Sequence, residues 1–385
     1  MRALPWILAL AAAALTPAGA AAATGPWSPP RRLAPASAGP APAVAVGGRD
    51  GRLAALFVTR SVRGDRLELR QGTQHGLGQA IVVDRARRGG LDSPAVAVTD
   101  LRTLTAWRRP GRGARVIGFA SVSRSGVPNA PQSMTGSPTA YEPRFVTPSL
   151  LTWHIRRQGY VRTIASGRPL VTDRLPPGAT FGAVLGVDAE RPAGRALATT
   201  VSGSVVVAWV QNAGDGNALL TAARPRGGAF GAPREVVAAT AGAFSPRLVA
   251  TSDGGVVASY LATGSRAGWG SRSGSPHALA LGPDGTLVGT DLSLGAAGER
   301  ARDAALAADA GAAWVAWTAT APGPDPVHVR RLAPGGILGR LQKVSGRDDV
   351  ASTAPNLAMA RSGRALLAYA TRDGRMRYVT RDAGL

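Results

Sequence analysis

The sequence predicts an all-β chain made of seven repeats of four antiparallel strands. Seven aromatic residues recur along it, and each follows a small or apolar residue. They are Phe57, Trp107, Trp153, Trp209, Tyr260, Trp317 and Tyr369. The intervals between them are 50, 46, 56, 51, 57 and 52 residues. A period of this size is typical of one supersecondary unit repeated in space.

A second repeated feature is a short segment whose first residue lies 10 to 15 residues before each aromatic. In five repeats a proline, such as Pro42 or Pro94, opens this short segment. Proline suits the first residue of a strand, where no ladder donor is needed. Turn residues such as Ser202-Gly203 and Asp253-Gly254 lie between this segment and the aromatic, and they tolerate the positive φ of tight hairpins. Each repeat therefore begins with a predicted β-hairpin that ends at its aromatic residue.

The strand that carries the aromatic is often apolar throughout, as in residues 205–209 and 312–317. A short continuous apolar run predicts a strand that is buried on both faces. A more polar third strand follows at 66–70 and 327–331, and a fourth precedes the next repeat, as at 80–83. Four strands in about 50 residues, repeated seven times, indicate a β-propeller of seven four-stranded antiparallel blades.

Three points of this prediction depend on the phase of the repeat. Ala301–Ala308 has helical propensity, but the phase predicts a strand there. The last repeat ends with its third strand near 376–380, and a spare strand lies at 30–34. We expect this N-terminal strand to complete the last blade, which removes an open sheet edge. A β-sandwich also has short strands at regular spacing, but it would not explain a sevenfold period.

The domain organisation follows from these boundaries. Residues 1–23 are predicted to be a signal peptide, and residues 27–385 a single propeller domain. Its repeats are placed at about 27–75, 76–127, 128–168, 169–227, 228–286, 287–337 and 338–385.

The first residues have the pattern of a secretory signal. Arg2 precedes an apolar run from Ala3 to Leu15, and Ala18-Gly19-Ala20 offers a cleavage site. The run is shorter than the ~20 residues that span a bilayer, and no later stretch approaches that length. We therefore expect an exported protein, secreted or in the cell envelope, without a membrane span after cleavage. The competing interpretation is an uncleaved membrane anchor.

The repeat resembles that of seven-bladed propellers found in secreted bacterial proteins of uncharacterised function, over residues 27–385. The Trp-Asp signature of WD repeats is absent, because Trp107, Trp153, Trp209 and Trp317 precede Arg, His, Val and Thr. The Asp-box of sialidase-like propellers is absent too, since residues 252–255 and 283–286 share only turn residues with it. The resemblance implies the fold and carries over no functional residue.

The search for catalytic chemistry finds no recognisable constellation. The sequence has no cysteine and no Gly-x-Ser-x-Gly, which excludes disulfides, thiolate sites and the nucleophile elbow. No two of the four histidines lie within seven residues of each other, so no short metal-binding run exists. We therefore predict no catalytic residue, no metal ligand and no cofactor. Arg63-Gly64-Asp65 is interpreted as an ordinary turn.

An enzymatic alternative rests on two glutamates. Glu142 and Glu190 lie in loops at the mouths of the third and fourth repeats. A carboxylate pair there would predict a carbohydrate-active enzyme, a glycoside hydrolase or lyase, with its site at the central channel. The competing interpretation is that each carboxylate pairs with one of the many arginines.

The charge balance is strongly basic. The chain has 45 basic and 23 acidic residues and a formal net charge of +22. Lys343 is the only lysine. High-GC codon usage would explain why arginine replaces lysine, but not why acids are few. A surface with this surplus attracts anionic polymers at low salt.

The arginines cluster in the second and third repeats. No acidic residue occurs between Leu101 and Tyr141. The candidate ligand-binding residues are Arg85, Arg87, Arg88, Arg109, Arg112, Arg156 and Arg157. They fall in two kinds of loop that open on the same face of a four-stranded blade. The competing interpretation is a solvated basic rim produced by codon bias.

Guanidinium groups bind phosphate, sulfate and carboxylate well. The sequence therefore predicts a monomeric, non-enzymatic binding or scaffold protein whose partner is an anionic polymer, a glycan or a protein. Nucleic-acid recognition is disfavoured, because loops of this kind do not enter a groove as a recognition helix does and few aromatics interleave with the arginines.

Overall fold

The structure is a computed structural model, and the residues that it describes form antiparallel sheets almost throughout. The described ranges are 27–35, 41–73, 75–111, 115–134, 140–147, 150–155, 160–165, 168–174, 195–212, 216–264, 273–320, 325–347, 349–352 and 354–382. Within them the strands form seven sheets, and single 3-10 turns lie at Ala239–Ala241 and Pro334–Gly336. The prediction of an all-β chain of antiparallel, mostly four-stranded sheets is confirmed.

The first three sheets each use four consecutive strands. Sheet 1 contains β2 (Ala43–Gly47), β3 (Arg52–Ser61), β4 (Gly64–Thr73) and β5 (Gly76–Ala86). Sheet 2 contains β6 (Asp92–Val98), β7 (Arg102–Pro110), β8 (Arg115–Ser123) and β9 (Gln132–Met134). Sheet 3 contains β10 (Ala140–Thr147), β11 (Leu150–Ile155), β12 (Tyr160–Ala165) and β13 (Arg168–Arg174).

The next three sheets repeat this order. Sheet 4 contains β14 (Arg195–Thr199), β15 (Val205–Asn212), β16 (Asn217–Arg224) and β17 (Arg234–Val237). Sheet 5 contains β18 (Ala243–Ala250), β19 (Val256–Ala262), β20 (Ser275–Leu281) and β21 (Leu287–Ser293). Sheet 6 contains β22 (Arg300–Ala308), β23 (Ala313–Thr320), β24 (Val327–Ala333), β25 (Ile337–Leu338) and β26 (Gln342–Lys343).

Sheet 7 joins the two ends of the chain. It contains β27 (Asn356–Met359), β28 (Ala365–Ala370), β29 (Met376–Arg381) and, as its fourth strand, β1 (Arg31–Ala34). β1 pairs antiparallel with β29, so the segment at 30–34 takes the position expected for it.

The sequence repeats and the sheets are one strand out of phase. Each predicted repeat holds the fourth strand of one sheet and the first three strands of the next. The division at residue 76, for example, falls between β4 and β5 of the same sheet. The segment Ala301–Ala308 lies in β22, as the repeat phase predicts and against its helical propensity.

The first strands of neighbouring sheets contact one another in sequence order. In the order β2, β6, β10, β14, β18, β22 and β27, each strand contacts the next one, and β27 contacts β2. Small side chains permit this approach. A Cβ atom on Gly47, at the end of β2, would lie 2.5 Å from the carbonyl oxygen of Val98 on β6. These strand ends are therefore close enough to require glycine.

The turns between the first and second strands lie at one edge of the sheets, which we call the lower edge. There they link neighbouring sheets. The turn before β28 uses Gly363 at φ 86°, a value that L side chains rarely adopt. The backbone N–H of Ala310 in sheet 6 donates to the carbonyl of Arg361 in sheet 7 at 3.1 Å. Arg364 in turn donates to the carbonyl of Asp50 in sheet 1 at 2.8 Å. Hydrogen bonds therefore join three consecutive sheets here.

The core lies in layers between adjacent sheets. One cluster packs sheet 1 against sheet 2, and others lie between sheets 4 and 5, 5 and 6, 6 and 7, and 7 and 1. The second strands contribute to both of their layers, because their side chains alternate between faces. All six residues of β28 are buried. The prediction of second strands buried on both faces is confirmed for β3, β19, β23 and β28.

The N-terminal segment is held by packing as well as by pairing. Leu33 is fully buried between sheets 7 and 1. The N–H of Ser28 donates to the carbonyl of Thr380 at 2.7 Å, and the ring of Trp27 meets Trp314 edge-on at 6.4 Å. Among the described residues, no helix is long and apolar enough to cross a membrane.

Leu33→Ala should therefore lower the free energy of unfolding by about 2–5 kcal/mol, because the truncation leaves a cavity beside Phe57. Urea unfolding followed by tryptophan fluorescence measures the change. Val62→Ala is the control, since Val62 is 93% exposed and should change stability by less than about 0.5 kcal/mol. Equal stabilities of the two variants would mean that β1 does not hold the sheets together.

Candidate functional site

The candidate site lies at the edge of the sheets opposite to these turns, which we call the upper edge. Here each second strand ends, each third strand begins and each fourth strand leads to the next sheet. The two kinds of loop meet in space. A Cβ atom on Gly64, after β3, would lie 2.5 Å from the carbonyl oxygen of Ala86 at the end of β5. Arg115 on β8 donates to the carbonyl of Gly89 at 2.9 Å.

The repeated aromatic residues lie near this edge as core residues. Six of them are 0–1% exposed, namely Phe57, Trp107, Trp209, Tyr260, Trp317 and Tyr369. The side chain of Trp153 lies outside the part of the structure that can be described. The prediction that these aromatics serve packing is confirmed for the six. Four of them also carry a polar atom that binds a carboxylate.

In sheet 2 the carboxylate comes from the neighbouring sheet. The indole N–H of Trp107 donates to Oδ2 of Asp84 on β5 at 2.8 Å. Nη1 of Arg109 lies 3.4 Å from the same oxygen. Opposite Trp107 on β8 stands Gly118, where a Cβ atom would lie 2.6 Å from the indole ring. The cation therefore reaches the carboxylate from β7 itself.

In sheet 5 a histidine takes the position opposite the aromatic. Tyr260 pairs with His277 across β19 and β20, and their rings stack at 5.3 Å. The hydroxyl of Tyr260 donates to Oδ2 of Asp291 at 2.7 Å, and Nδ1 of His277 lies 2.9 Å from that oxygen. Burial, together with the Asp291 carboxylate, raises the pKa of Tyr260 far above its usual value of 10.0, so the tyrosine stays a donor.

Sheet 6 repeats this arrangement. Trp317 pairs with His328, and the indole N–H donates to Oε1 of Glu299 at 2.6 Å. Nδ1 of His328 lies 2.9 Å from the same oxygen. Burial raises the pKa of Glu299, but the bonds from Trp317 and His328 outweigh it and bring the pKa below its usual value of 4.5. The carboxylate is therefore held in its charged form.

Sheet 7 has the same arrangement, with an arginine in place of the histidine. The hydroxyl of Tyr369 donates to Oδ2 of Asp349 at 2.7 Å. Arg377 stands opposite Tyr369 on β29, and its Nε lies 3.6 Å from Oδ1 of Asp349. Burial, with the nearby Asp349, raises the pKa of Tyr369 well above its usual value. Arginine here occupies the position that histidine has in sheets 5 and 6.

These four groups form a repeated clasp of an aromatic residue, a carboxylate and an arginine or histidine. Each clasp ties the end of a second strand to a fourth strand or to a connection between sheets. Because histidine in sheets 5 and 6 stands where arginine stands in sheet 7, the two histidines act in holding the edge together. Sequence analysis missed the clasps because each carboxylate stands at a different distance along the chain from its aromatic. Strand pairing, the connections between sheets and packing between sheets bring them together.

The arginines predicted from the sequence have different environments. Arg85 lies at the end of β5, and Arg87 and Arg88 lie in the turn that follows, all three exposed. Arg109 is at the end of β7, one-quarter exposed and paired with Asp84. Arg112, Arg156 and Arg157 lie outside the described residues.

Two further arginines join the exposed three. Arg66 on β4 lies directly opposite Arg85 on β5, and Arg63 lies in the turn before β4. All are exposed. The contact of Gly64 with Ala86 brings that turn next to the loop of Arg87, whose Cα would lie 3.8 Å from the Gly64 Cβ. We call these residues the arginine corner: Arg63, Arg66, Arg85, Arg87 and Arg88.

The register explains why Arg66 was missed. Thr73 pairs with Gly76 beside the hairpin turn, and a regular ladder from there would place Arg66 opposite Val83. Two irregularities in the ladder shift the pairing by two residues, so that Arg66 faces Arg85. The available sequence signal was the Arg63-Gly64-Asp65 turn, which was interpreted as a turn alone.

The remaining sequence candidates give no catalytic arrangement that can be described. The side chain of Glu142, and Glu190 altogether, lie outside the described residues, so the carboxylate pair stays a hypothesis. Within the described part of the chain, no group of three or more histidine, aspartate or glutamate side chains could hold a metal ion.

Comparison with known proteins places the fold. No protein-family model matches the chain, and no curated protein sequence matches it significantly. A streptogramin B lyase structure aligns with a TM-score of 0.53 and 11% identity, over 92% of this chain and 97% of its own. The WD40 domain of Toxoplasma gondii coronin aligns with a TM-score of 0.52 and 9% identity, over 94% of this chain and 88% of its own.

A third structure is a catalytically inactive histidine-to-alanine variant of Staphylococcus aureus virginiamycin B lyase with quinupristin. It aligns with a TM-score of 0.53 and 9% identity, over 92% of this chain and 99% of its own. These neighbours are propeller-like and built of repeated four-stranded blades. The chain has the same β-propeller-like fold, as the sequence predicts. Likeness at these identities concerns the fold alone.

Glu299→Gln tests the clasp of sheet 6. At pH 7 we expect the free energy of unfolding to fall by roughly 1–3 kcal/mol, because charge-assisted hydrogen bonds to Trp317 and His328 are lost. The pKa of Glu299 is lowered in the folded chain, so its contribution is present above about pH 4.5 and is lost as the pH falls through the folded value. The difference between wild type and variant should therefore shrink below that pH.

Urea unfolding at pH 7, 5, 4 and 3 measures this dependence. Glu235→Gln is the matched control, because Glu235 is exposed on β17. If both variants had the same free energy of unfolding as the wild type at every pH, the clasp would not contribute to stability.

Proposed function

We propose that the chain is an exported, monomeric seven-bladed β-propeller whose ring is closed by β1, and that it binds an anionic polymer without catalysis. The seven sheets within the described ranges supply one blade each. The succession of contacting first strands, from β2 to β27 and back to β2, supports the ring. The pairing of β1 with β29 supports closure by the N-terminal strand. The signal-like sequence pattern predicted at 1–23 supports export.

The arginine corner is the observation that carries the binding function. Arg66 and Arg85 stand directly opposite each other on one face of an antiparallel pair. Like charges in this position are destabilising unless a counter-charge is present. A sulfate, phosphate or carboxylate group between the two guanidinium groups would remove the repulsion and accept several charge-assisted hydrogen bonds.

The nearby carboxylates do not neutralise this corner. Asp65 is 1% exposed, and its Oδ2 accepts the N–H of Leu91 at 3.1 Å. Asp84 is buried in the clasp of sheet 2. Glu68 lies two residues along the same face as Arg66, and the ion pairs found among the described residues of sheet 1 do not join it to an arginine of the corner. Five arginines with this one carboxylate beside them leave the corner with a net positive charge.

An extended polymer is the partner that this surface favours. The five arginines lie on two paired strands and in the two turns next to them, so they form one cluster at the upper edge. A polymer with repeated anionic groups can contact several of them at once, and its affinity then rises with each contact. An anionic polysaccharide of the cell envelope has this chemistry.

The test is binding to immobilised heparin, used as a sulfated polysaccharide probe. The triple variant Arg66→Ser, Arg85→Ser and Arg87→Ser should bind more weakly than wild type by a factor on the order of tenfold at low salt. Wild-type binding should also weaken steeply as NaCl rises, because exposed charges are screened.

The matched control removes three exposed arginines elsewhere, Arg226, Arg340 and Arg361. It changes the net charge equally and should lose much less affinity. Equal losses in the two triple variants would overturn the assignment of the corner, because net charge alone would then explain binding. Retention that does not depend on salt would overturn the ionic mechanism.

A further inference from the structure

A second arrangement of arginines surrounds a buried carboxylate at the upper edge of sheets 6 and 7. The side chain of Asp325, just before β24, is 4% exposed. Its Oδ2 atom lies 3.1 Å from Nη2 of Arg302 and accepts a hydrogen bond from Nη2 of Arg372 at 2.9 Å. One buried oxygen therefore holds two guanidinium groups.

The two arginines come from different sheets. Arg302 lies where the pairing of β22 with β23 is irregular, between Ala301 and Ala304. Arg372 lies in the turn between β28 and β29, and its N–H donates to the carbonyl of Val350 at 2.8 Å. The fold therefore brings guanidinium groups from two sheets to one carboxylate oxygen.

The charges around this group do not cancel. One carboxylate faces two guanidinium groups, which leaves a surplus positive charge. The acids next to them in sequence are already engaged. Oδ1 of Asp303 lies 3.2 Å from Nη2 of Arg247, and Oδ2 of Asp373 lies 3.1 Å from Nε of Arg375. Within the described residues, Asp325 is therefore the one carboxylate that pairs with Arg302 and Arg372.

Both guanidinium groups are also accessible. The side chains of Arg302 and Arg372 are 40% and 56% exposed, although the carboxylate that holds them is buried. Each guanidinium has five N–H donors, and within the described residues each meets Asp325 through Nη2. Donors remain on both side chains for a ligand that approaches from solvent.

We propose that Arg302 and Arg372 form a binding site for a single oxyanion group, such as a phosphate or sulfate ester, and that Asp325 positions them. A tetrahedral oxyanion accepts hydrogen bonds from two forked guanidinium groups at once, and the surplus charge favours it. The carboxylate underneath restricts the side chains, so less conformational entropy is lost on binding. This site lies on sheets 6 and 7 and is independent of the arginine corner on sheet 1.

The experiment measures binding of inorganic phosphate and inorganic sulfate to the full chain by calorimetry, at an ionic strength held constant with NaCl. The double variant Arg302→Gln and Arg372→Gln should bind about tenfold or more weakly, because hydrogen bonds between charged groups are lost. The control variant Arg49→Gln and Arg234→Gln removes two arginines that are each paired with their own acid, away from this site. It should bind like wild type.

Two further variants separate geometry from charge. Arg302→Lys with Arg372→Lys keeps both charges but removes the forks, and it should also bind several-fold more weakly. Asp325→Asn should weaken binding if the carboxylate positions the arginines, although it adds one positive charge. Unchanged affinity in the glutamine or the lysine variant would overturn the site. Tighter binding in Asp325→Asn would overturn the positioning role, because the carboxylate would then only compete with the ligand.

Discussion

The structure depends on second strands that are apolar on both faces. β23 and β28 are buried along almost their whole length, so each needs a packed sheet on either side. A row of such sheets would expose one apolar face at each end unless the last sheet met the first. The contact of β27 with β2, and the burial of Leu33 between sheets 7 and 1, support the proposal that the last sheet meets the first. The ring that we propose follows from the same constraint.

A second constraint arises because tryptophan and tyrosine bring polar atoms into these layers. A buried N–H or O–H without a partner costs free energy. In the four clasps a carboxylate accepts the bond, and an arginine or a histidine stabilises the carboxylate in turn. Packing and electrostatics are thus coupled at the upper edge. The same chemistry that completes the core also uses four of the 23 acids of the chain.

The scarcity of acids leaves arginine in surplus at particular places. Asp84 is taken by Trp107 and Arg109, which leaves Arg85 and its neighbours exposed without a counter-charge. Asp325 is shared by two arginines, which leaves half of their charge available. We propose that the basic composition produces two local sites of different form, one a cluster of five arginines and one a pair. Each suits anions, the first a polymer and the second a single group.

The sequence by itself determined the strands and their repetition, because both depend on local properties. Alternation, turn residues and the recurring aromatics predict the hairpins, and even the alanine-rich β22 follows from the phase of the repeat. The tertiary structure decided the partners. Arg66 faces Arg85 only because irregular pairing shifts the register, and Asp325 meets Arg372 across 47 residues of sequence. Such partnerships depend on register and on packing between sheets, which no local pattern encodes.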